Sequence, residues 1–525
     1  MFLLESALLE GRFLFISYLT CSFVNRLIMI KDCFLILTTL FFSSLITAQN
    51  RTLPVDTLVV TNHTTTIKGK NITYQAETGT QPVWNKKGAP IASLFYTYYK
   101  RTNDRSGTKR PLIFSFNGGP GSASVWMHVA YTGPRILSID EEGYPVQPYG
   151  FKSNPYSILD EADIVFINPV NTGYSRMIEV DGELPDKSLF FGVNEDIAYL
   201  AEWLTTFVSR KERWESPKYL IGESYGGTRV MGLSLALQNQ QWMYLNGVIL
   251  VSPADYKIYR SEDTIFSALN LPYFTAAAWY HQQLDTDLQK QDLLQILPEA
   301  EAFAIDELMP AIAKGGFLSL EDKKEVANKM SLLSGIDSEV LMQHNLELPT
   351  SYFWKELLRH EGKTIGRLDS RYLGIDRKEA GDSPDYSAEL TSWLHSFTPA
   401  INHYIRKELQ FKTDLKYNMF GPVRPWNSEN DQTRENLRQA MAQNPYLHVM
   451  TQSGYYDGAT TYFAAKFSQW QMDPSGKLRD RFSFKGYRSG HMMYLRREDL
   501  QKANEDIRLF LKSTSPKGES ARYTR

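Results

Sequence analysis

The chain has 525 residues, of which 42% are apolar and 22% charged, and its formal net charge is −2. This length suffices for one large domain with insertions or for two domains. The balance of 57 basic and 59 acidic side chains gives no reason to expect nucleic acid or an anionic membrane surface as a partner. Both cysteines, Cys21 and Cys33, lie near the N-terminus, so the rest of the chain has no disulfide framework, thiolate nucleophile or cysteine metal site.

The N-terminal residues have the layout of an export signal. From Met29 the sequence runs MIKDCFLILTTLFFSSLITAQN, with Lys31, then an apolar run at 34–46, then small residues ending at Ala48. This run is short for a membrane span. We expect a signal peptide within residues 1–49, translation from Met29, and export to the periplasm or beyond, with no stable membrane association after cleavage. The alternative is an uncleaved membrane anchor.

The part of the chain that follows alternates short apolar segments with a helical pattern. A polar, threonine-rich stretch and aromatic segments come first, and residues 194–214 then have helical spacing. Four short apolar segments with Gly, Asn or Pro at or near their ends predict buried strands: PLIFSFN (111–117), ADIVFINP (162–169), KYLIGES (218–224) and NGVILVSP (246–253). This alternation predicts an α/β fold with a mostly parallel sheet flanked by helices.

The middle of the chain has a different pattern. Helical, charge-rich segments dominate from about 259 to 425, without a convincing buried strand. Strand signals return at 446–454 and 481–487, and helical patterns at about 459–470 and 498–513. We therefore expect one α/β domain, formed by residues 50–258 and 426–525. A helical insertion at 259–425 would interrupt it and lie over the carboxyl ends of the strands.

A candidate nucleophile lies at the end of the predicted strand KYLIGES (218–224). Residues 222–226, Gly-Glu-Ser-Tyr-Gly, match the pattern G-x-S-x-G. A serine hydroxyl can project from a strained turn between strand and helix only where glycines leave room for the backbone. The pattern alone is weak, since Ser224 could be a small residue in a glycine turn. An apolar strand before it and a helical segment after it favour the nucleophile.

A nucleophilic serine needs a base and an acid that orients the base, in the chain order serine, acid, histidine for this kind of fold. His491 follows a predicted strand on a loop, as a general base should, whereas His448 lies inside a strand and is better read as a sheet histidine. Asp457 follows the strand that ends near Gly454. Taken alone, Asp457 could equally be a turn or helix-capping residue.

Acyl transfer also needs donors for the tetrahedral oxyanion. The loop NGGPGS (117–122) follows an earlier strand and can supply one backbone N–H, while Tyr225 can supply the other. A phosphate-binding loop is the alternative, but no G-K-[ST] follows. A plain tight turn is the second alternative.

Five segments together resemble the serine carboxypeptidase family of α/β-hydrolases, in particular its bacterial, disulfide-free branch. They are FNGGPGSASVWMHVAYTGPR, NPVNTGYS, IGESYGG, GYYDGATTYFAAKF and YRSGHMMY, and the likeness runs from about 90 to 510. The resemblance implies an α/β-hydrolase fold with a helical insertion (cap) and removal of C-terminal residues from peptides. It implies the triad Ser224, Asp457 and His491 and oxyanion donors at Gly119 and Tyr225.

The resemblance also implies how a peptide's terminal carboxylate would be held. Asn117, with Gly118 beside it, and Glu223 match the substrate-binding positions of the family. Glu223 must be protonated to donate a hydrogen bond to a carboxylate, which favours binding at acid pH.

The chain departs from the family at several positions. Tyr131 stands where the family has a second glutamate before the Gly-Pro of the first motif. Ser115 and Phe116 replace its usual tryptophan, and Ser122 replaces a cysteine. Hydrolysis is therefore better supported than carboxypeptidase specificity.

We interpret the chain as an exported serine carboxypeptidase-like peptidase that acts on peptides through an acyl-enzyme on Ser224. It needs no metal or organic cofactor, and no H-E-x-x-H motif is present. An esterase or acyltransferase with the same triad is the closest alternative. A non-catalytic peptide-binding protein is the second.

Overall fold

A ten-stranded sheet organises the chain. The computed structural model describes residues 51–104, 109–255, 264–518, 520, 522 and 523, so the expected signal peptide at 1–49 lies outside the described residues. The strands are β1 Thr57–Ile67, β2 Lys70–Trp84, β3 Pro90–Arg101, β4 Leu112–Phe116, β5 Arg135–Leu137, β6 Phe151–Ser153, β7 Asp163–Ile167, β8 Arg176–Met177, β9 Lys218–Glu223, β10 Gly247–Val251, β11 Thr364–Ile365, β12 Leu373–Gly374, β13 His448–Gly454 and β14 Phe482–Tyr487.

The order of strands in this sheet is β1-β2-β3-β7-β4-β9-β10-β13-β14, with β8 beside β3. The strands from β7 to β14 pair in parallel, whereas β1, β2, β3 and β7 pair antiparallel. The carboxyl ends of the parallel strands meet at one edge, where ligand sites form in such sheets. The predicted α/β fold with a mostly parallel sheet is confirmed.

Helices cover the sheet and fill the middle of the chain. They are α1 Val125–Ala130, α2 Val193–Arg210, α3 Tyr225–Gln240, α4 Thr264–Leu269, α5 Leu271–Tyr280, α6 Thr286–Gln289, α7 Leu293–Phe303, α8 Met309–Lys314, α9 Leu320–Ser334, α10 Ser338–Gln343, α11 Thr350–Glu356, α12 Ala388–Lys407, α13 Thr433–Gln443, α14 Tyr462–Met472 and α15 Arg497–Thr514. Among the helices that the structure describes, none is long and apolar enough to cross a bilayer.

Each of the six predicted buried strands is present within one or two residues of its expected bounds, as β4, β7, β9, β10, β13 and β14. The threonine-rich stretch at 52–70 was not predicted as a strand, but it contains the whole of the long strand β1. Its side chains alternate between half-buried and exposed, and β-branched threonines suit such a half-buried, pleated surface.

Apolar side chains of the parallel strands alternate between the two faces of the sheet, as a period of two requires. Ile113 and Ile221 point into a core that includes apolar side chains of α1, α12 and α15. Phe114 and Leu220 point into a second core with side chains of α2, α3 and α13. Both faces of the sheet are therefore covered, which explains why the strands lack polar alternation.

The middle of the chain has its own apolar core, whose members lie between Ala268 and Ile365. It is helical apart from β11 and β12, which pair as a short antiparallel ribbon. The helical pattern of this region is confirmed. Its treatment as a separate insertion at 259–425 stays a prediction, because residues from Leu53 onward form one compact unit.

Candidate active site

Ser224 lies at the turn between β9 and α3, where the predicted nucleophile should be. Its backbone has φ 57° and ψ −125°, a left-handed region that non-glycine residues rarely occupy. The turn is held by backbone hydrogen bonds: Ser224 N–H donates to the carbonyl of Val251 at 2.9 Å, and its own carbonyl accepts from Gly227 at 2.8 Å and Ala254 at 3.0 Å. The surrounding backbone thus fixes a strained conformation that presents the hydroxyl.

Two glycines of the motif are needed for close packing around this turn. A Cβ at Gly222 would lie 2.0 Å from the carbonyl oxygen of Gly226, and a Cβ at Gly226 would lie 2.7 Å from that of Phe116. Both distances are shorter than van der Waals contact, and the atoms concerned belong to the backbone. The pattern therefore has a steric cause in this chain.

Asp457 and His491 are hydrogen-bonded to each other. Oδ2 of Asp457 lies 2.7 Å from Nδ1 of His491, and both side chains are buried. The other oxygen, Oδ1, accepts hydrogen bonds from the backbone N–H groups of Ala459 at 2.8 Å and Thr460 at 3.0 Å. Burial lowers the pKa of His491, but the charge of Asp457 and its hydrogen bond outweigh burial, so the pKa is raised. This pair can accept and stabilise a proton on the imidazole.

Thr460 adds a contact that the sequence did not suggest. Its hydroxyl donates to Oδ2 of Asp457 at 2.6 Å and lies 3.1 Å from Nδ1 of His491. Its side chain is buried, and Oγ1 also lies 3.0 Å from the carbonyl of Ser252. Thr460 therefore helps to fix the carboxylate of Asp457 through Oδ2, the oxygen that bonds to His491.

A cavity of about 310 Å³ brings the predicted site residues together. It is lined by Ser224 and His491 and by four further predicted residues: Gly118, Gly119, Glu223 and Tyr225. The two remaining ones, Asn117 and Asp457, lie behind this wall, hydrogen-bonded to Glu223 and His491 respectively.

The glycine loop lies directly against the candidate nucleophile. A Cβ at Gly118 would lie 2.5 Å from the backbone nitrogen of Tyr225 and 2.8 Å from Cβ of Ser224. Gly119 has a φ of 106°, which a residue with a side chain rarely adopts. Only glycines allow the loop to approach so closely, so its backbone lies beside the candidate nucleophile. The roles of Gly119 and Tyr225 as donors stay predictions.

Glu223 contributes a buried carboxyl group to the cavity wall. Burial raises its pKa to about 7, while His491 and hydrogen bonds from Tyr494 and Asn117 lower it. The amide Nδ2 of Asn117 donates to Oε1 at 2.9 Å, and the hydroxyl of Tyr494 donates to Oε2. Asn117 is itself fixed, because its Oδ1 accepts from the backbone N–H of Met127 at 3.2 Å.

Residues 71–303 match the family model described as serine carboxypeptidase, a stretch that contains Asn117, Glu223 and Ser224 with the geometry given above. The resemblance to the serine carboxypeptidase family is confirmed. The match ends before Asp457 and His491, so their assignment rests on the contacts between them.

Two plant proteins illustrate the extent of this similarity. Serine carboxypeptidase-like 36 of Arabidopsis thaliana is 31% identical over 170 residues, which are 31% of this chain and 32% of that protein. Serine carboxypeptidase-like 37 of the same plant is 30% identical over 174 residues, 31% of this chain and 33% of that protein. The alignment spans about a third of the length of these relatives. Closeness to the bacterial branch of the family stays a prediction.

A solved prohormone-processing carboxypeptidase from Saccharomyces cerevisiae has a similar fold. The TM-score is 0.52, and the superposition covers 84% of this chain and 91% of that chain at 14% sequence identity. At this identity the likeness concerns the fold alone. It agrees with an α/β-hydrolase, as the sheet order and the turn at Ser224 already indicate.

Tyr131, which replaces the second glutamate of serine carboxypeptidases, makes no hydrogen bond to Glu223. Its hydroxyl donates to Oε1 of Gln452 at 2.7 Å. Its ring stacks on that of Tyr494, with centroids 4.6 Å apart and planes at 10°. The second partner of Glu223 is therefore Tyr494, which lies three positions after His491. The segment YRSGHMMY, which carries part of the family resemblance, ends on Tyr494. The sequence did not indicate, however, that the side chain of Tyr494 would contact Glu223.

Proposed function

We propose that this protein is a serine-type peptidase that removes C-terminal residues from peptides. The match to the serine carboxypeptidase family and the α/β-hydrolase fold support a peptidase or other hydrolase. In the proposed reaction His491 takes the proton of the Ser224 hydroxyl as its oxygen attacks the acyl carbon, and Asp457 holds the imidazole and stabilises its charged form. The imidazolium then protonates the leaving amine. Water attacks the acyl-enzyme with His491 as base, which releases the shortened peptide and restores the serine.

The observation that carries carboxypeptidase specificity is the buried carboxyl group of Glu223 in the cavity wall beside Ser224. Burial raises its pKa to about 7. Below this pH the carboxyl group is mostly neutral, and its O–H can donate to the terminal carboxylate of a peptide. Above it, Glu223 becomes an anion that repels the same carboxylate. Its place directly before Ser224 in the cavity wall puts that contact beside the scissile bond.

The test compares three substrates that differ only at the C-terminus: a blocked dipeptide as free acid, amide and ester. We expect the free acid to have the highest kcat/KM at about pH 5.5. Its advantage over the amide should fall about tenfold for each pH unit above about 7, because the fraction of neutral Glu223 falls by that factor. Glu223→Gln should remove this loss, since an amide can donate at every pH. Equal or better turnover of the amide at about pH 5.5 would rule the proposal out.

An esterase or acyltransferase is the second candidate, and Tyr131 is the observation that favours it. Because Tyr131 bonds to Gln452, the site has one carboxyl group where the family pattern has two. This candidate would be supported if the ester were turned over faster than the free acid both at about pH 5.5 and above about pH 7. The same preference should then be seen in Glu223→Gln.

A non-catalytic peptide-binding protein would keep the cavity without the chemistry. A fluorophosphonate probe distinguishes it, because the probe labels only an activated serine. We expect labelling of the wild type and none of Ser224→Ala. Ser234→Ala, which changes a buried serine of the helix that follows Ser224, should be labelled like the wild type. Absence of labelling in the wild type would support the non-catalytic peptide-binding alternative.

We also propose that the protein is exported to the periplasm or secreted, with peptides as its substrates. Support comes from the apolar segment at 34–46 and the small residues that end at Ala48, the layout of a cleaved signal. N-terminal sequencing of the protein from its native host tests this. A start after Ala48 agrees with export, and a start at Met1 contradicts it.

A further inference from the structure

Arg367 belongs to a loop that contacts both catalytic loops. The loop joins β11 to β12 in the middle region of the chain. The carbonyl of Arg367 accepts from the backbone N–H of Gly458 at 3.0 Å, and that of Leu368 accepts from the N–H of His491 at 2.7 Å. Because the segments that carry Asp457 and His491 are both bonded to it, the backbone of Arg367 is fixed relative to the catalytic pair.

The side chain of Arg367 is exposed and contributes to the wall of the cavity that holds Ser224 and His491. Its positive charge reaches the imidazole, since it acts to lower the pKa of His491 against the larger effect of Asp457. The guanidinium therefore lies within electrostatic range of the reacting groups.

Two neighbouring carboxyl groups belong to Asp369 and Glu389. Asp369 forms an ion pair with Arg371 at 2.7 Å, with both side chains buried. Oε1 of Glu389 accepts from the backbone N–H of Leu368 at 2.9 Å. Burial raises the pKa of Glu389, which favours the neutral form, although the charge of Arg367 acts to lower it. Across the part of the chain that the structure describes, no side chain forms an ion pair or hydrogen bond with the guanidinium of Arg367.

The rest of the cavity wall makes this cation distinctive. Among the described residues that line it, Arg367 is the one with a permanent charge. Most of the other large side chains are apolar: Trp126, Leu368, Leu390, Phe420 and Met492. A guanidinium at the border of an apolar wall offers a planar fork of donors that matches a carboxylate.

We propose that Arg367 binds the acidic side chain, Asp or Glu, of one of the two residues that flank the scissile bond. This inference rests on the proposed peptidase function and names its preferred class of substrate, an acidic peptide. The carboxylate would accept charge-assisted hydrogen bonds from the guanidinium while Glu223 holds the terminal carboxylate.

The experiment uses blocked dipeptides with free C-termini in which Glu replaces Gln, an isosteric neutral residue, at either of the two positions. For the wild type we expect the ratio of kcat/KM, Glu over Gln, to be about tenfold or more at one of the positions, as a hydrogen bond to a charged group implies. In Arg367→Gln the ratio should fall to about one, and in Arg367→Glu below one. Arg377→Gln, which removes an exposed arginine of the same region that is absent from the cavity wall, should keep the wild-type ratio. A ratio that is the same in the wild type and Arg367→Gln would overturn the inference.

Protection of Ser224 from the fluorophosphonate probe separates this inference from the proposed function. If the wild type cleaves no free-acid peptide, the peptidase proposal fails, but the Glu peptide should still protect better than the Gln peptide, and only while Arg367 is present. Equal protection by the two peptides would reject the role of Arg367 whether or not cleavage occurs.

Discussion

Tyr494 donates a hydrogen bond to Oε2 of Glu223, on the opposite side of the carboxyl group from Asn117. The two side chains are buried, and the ring of Tyr494 is held by stacking on Tyr131. A hydrogen bond to the ionised form of an acid lowers its pKa, and this one acts against the burial of Glu223. Tyr494 therefore adjusts the pH at which the proposed carboxylate contact is lost.

Tyr494→Phe should raise the pKa of Glu223 further, because burial then acts with one fewer opposing hydrogen bond. A hydrogen bond to a charged group contributes about 1.5 kcal/mol, which corresponds to about one pH unit. The pH at which kcat/KM for a free-acid dipeptide begins to fall should rise by that amount. Tyr131→Phe keeps the ring and removes a hydroxyl that contacts Gln452, so its pH profile should match the wild type. If the pH profiles of Tyr494→Phe and Tyr131→Phe coincide, the hydroxyl of Tyr494 does not lower the pKa of Glu223.

The same carboxyl group should make stability depend on pH. The pKa of Glu223 is raised from 4.5 to about 7, so its stabilising effect is complete below about pH 4.5 and is lost as pH rises through about 7. Above that pH the buried carboxylate costs about 3 kcal/mol relative to a neutral group. Glu223→Gln should therefore unfold at a higher temperature than the wild type at about pH 8, with the difference vanishing near pH 4. Thermal unfolding of both proteins across this range measures it, and a difference independent of pH would speak against the raised pKa.

The parallel strands, the helices after Ser224 and Asp457, and the turn at Ser224 could be predicted from the sequence. Each depends on a local pattern, since apolar runs specify buried strands and G-x-S-x-G specifies a turn. Strand β1 was missed because its threonines read as polar, although their alternation fits a sheet with one half-buried face.

Thr460, Tyr494 and Arg367 could not be assigned from the sequence for a common reason. The tertiary fold sets the contacts of each: Tyr494 bonds to Glu223, and the hydroxyl of Thr460, three residues after Asp457, lies where that carboxylate meets His491. No local period specifies such a contact. Arg367 reaches the catalytic pair through a loop in a region that the sequence describes only as helical. Glu223 was identified through the family resemblance, but its raised pKa depends on burial by the folded chain.

Thr460 should contribute to the rate through Asp457 and His491. Thr460→Val removes the hydroxyl that donates to Oδ2 of Asp457 at 2.6 Å while keeping the size of the side chain. Loss of a hydrogen bond to a charged group implies a decrease of about tenfold in kcat. Thr460→Ser restores the hydroxyl and should retain most of the activity. The comparison is made by steady-state kinetics, with the concentration of active enzyme determined by probe labelling. Equal kcat in Thr460→Val and Thr460→Ser would show that the hydroxyl of Thr460 does not contribute to the rate.

The turn at Ser224 should be intolerant of a single methyl group at Gly222. A Cβ there would lie 2.0 Å from the carbonyl oxygen of Gly226, and neither backbone can move without displacing the nucleophile. Gly222→Ala should therefore lower the free energy of unfolding by about 1–3 kcal/mol, as overpacking does, and abolish probe labelling of Ser224. Gly316→Ala is the matched control, because a Cβ at Gly316 meets no atom within 4 Å and should change stability by less than about 0.5 kcal/mol. Urea unfolding of the two variants and of the wild type gives the comparison. If Gly222→Ala unfolds at the same urea concentration as Gly316→Ala and is still labelled, the glycine is not required by the turn.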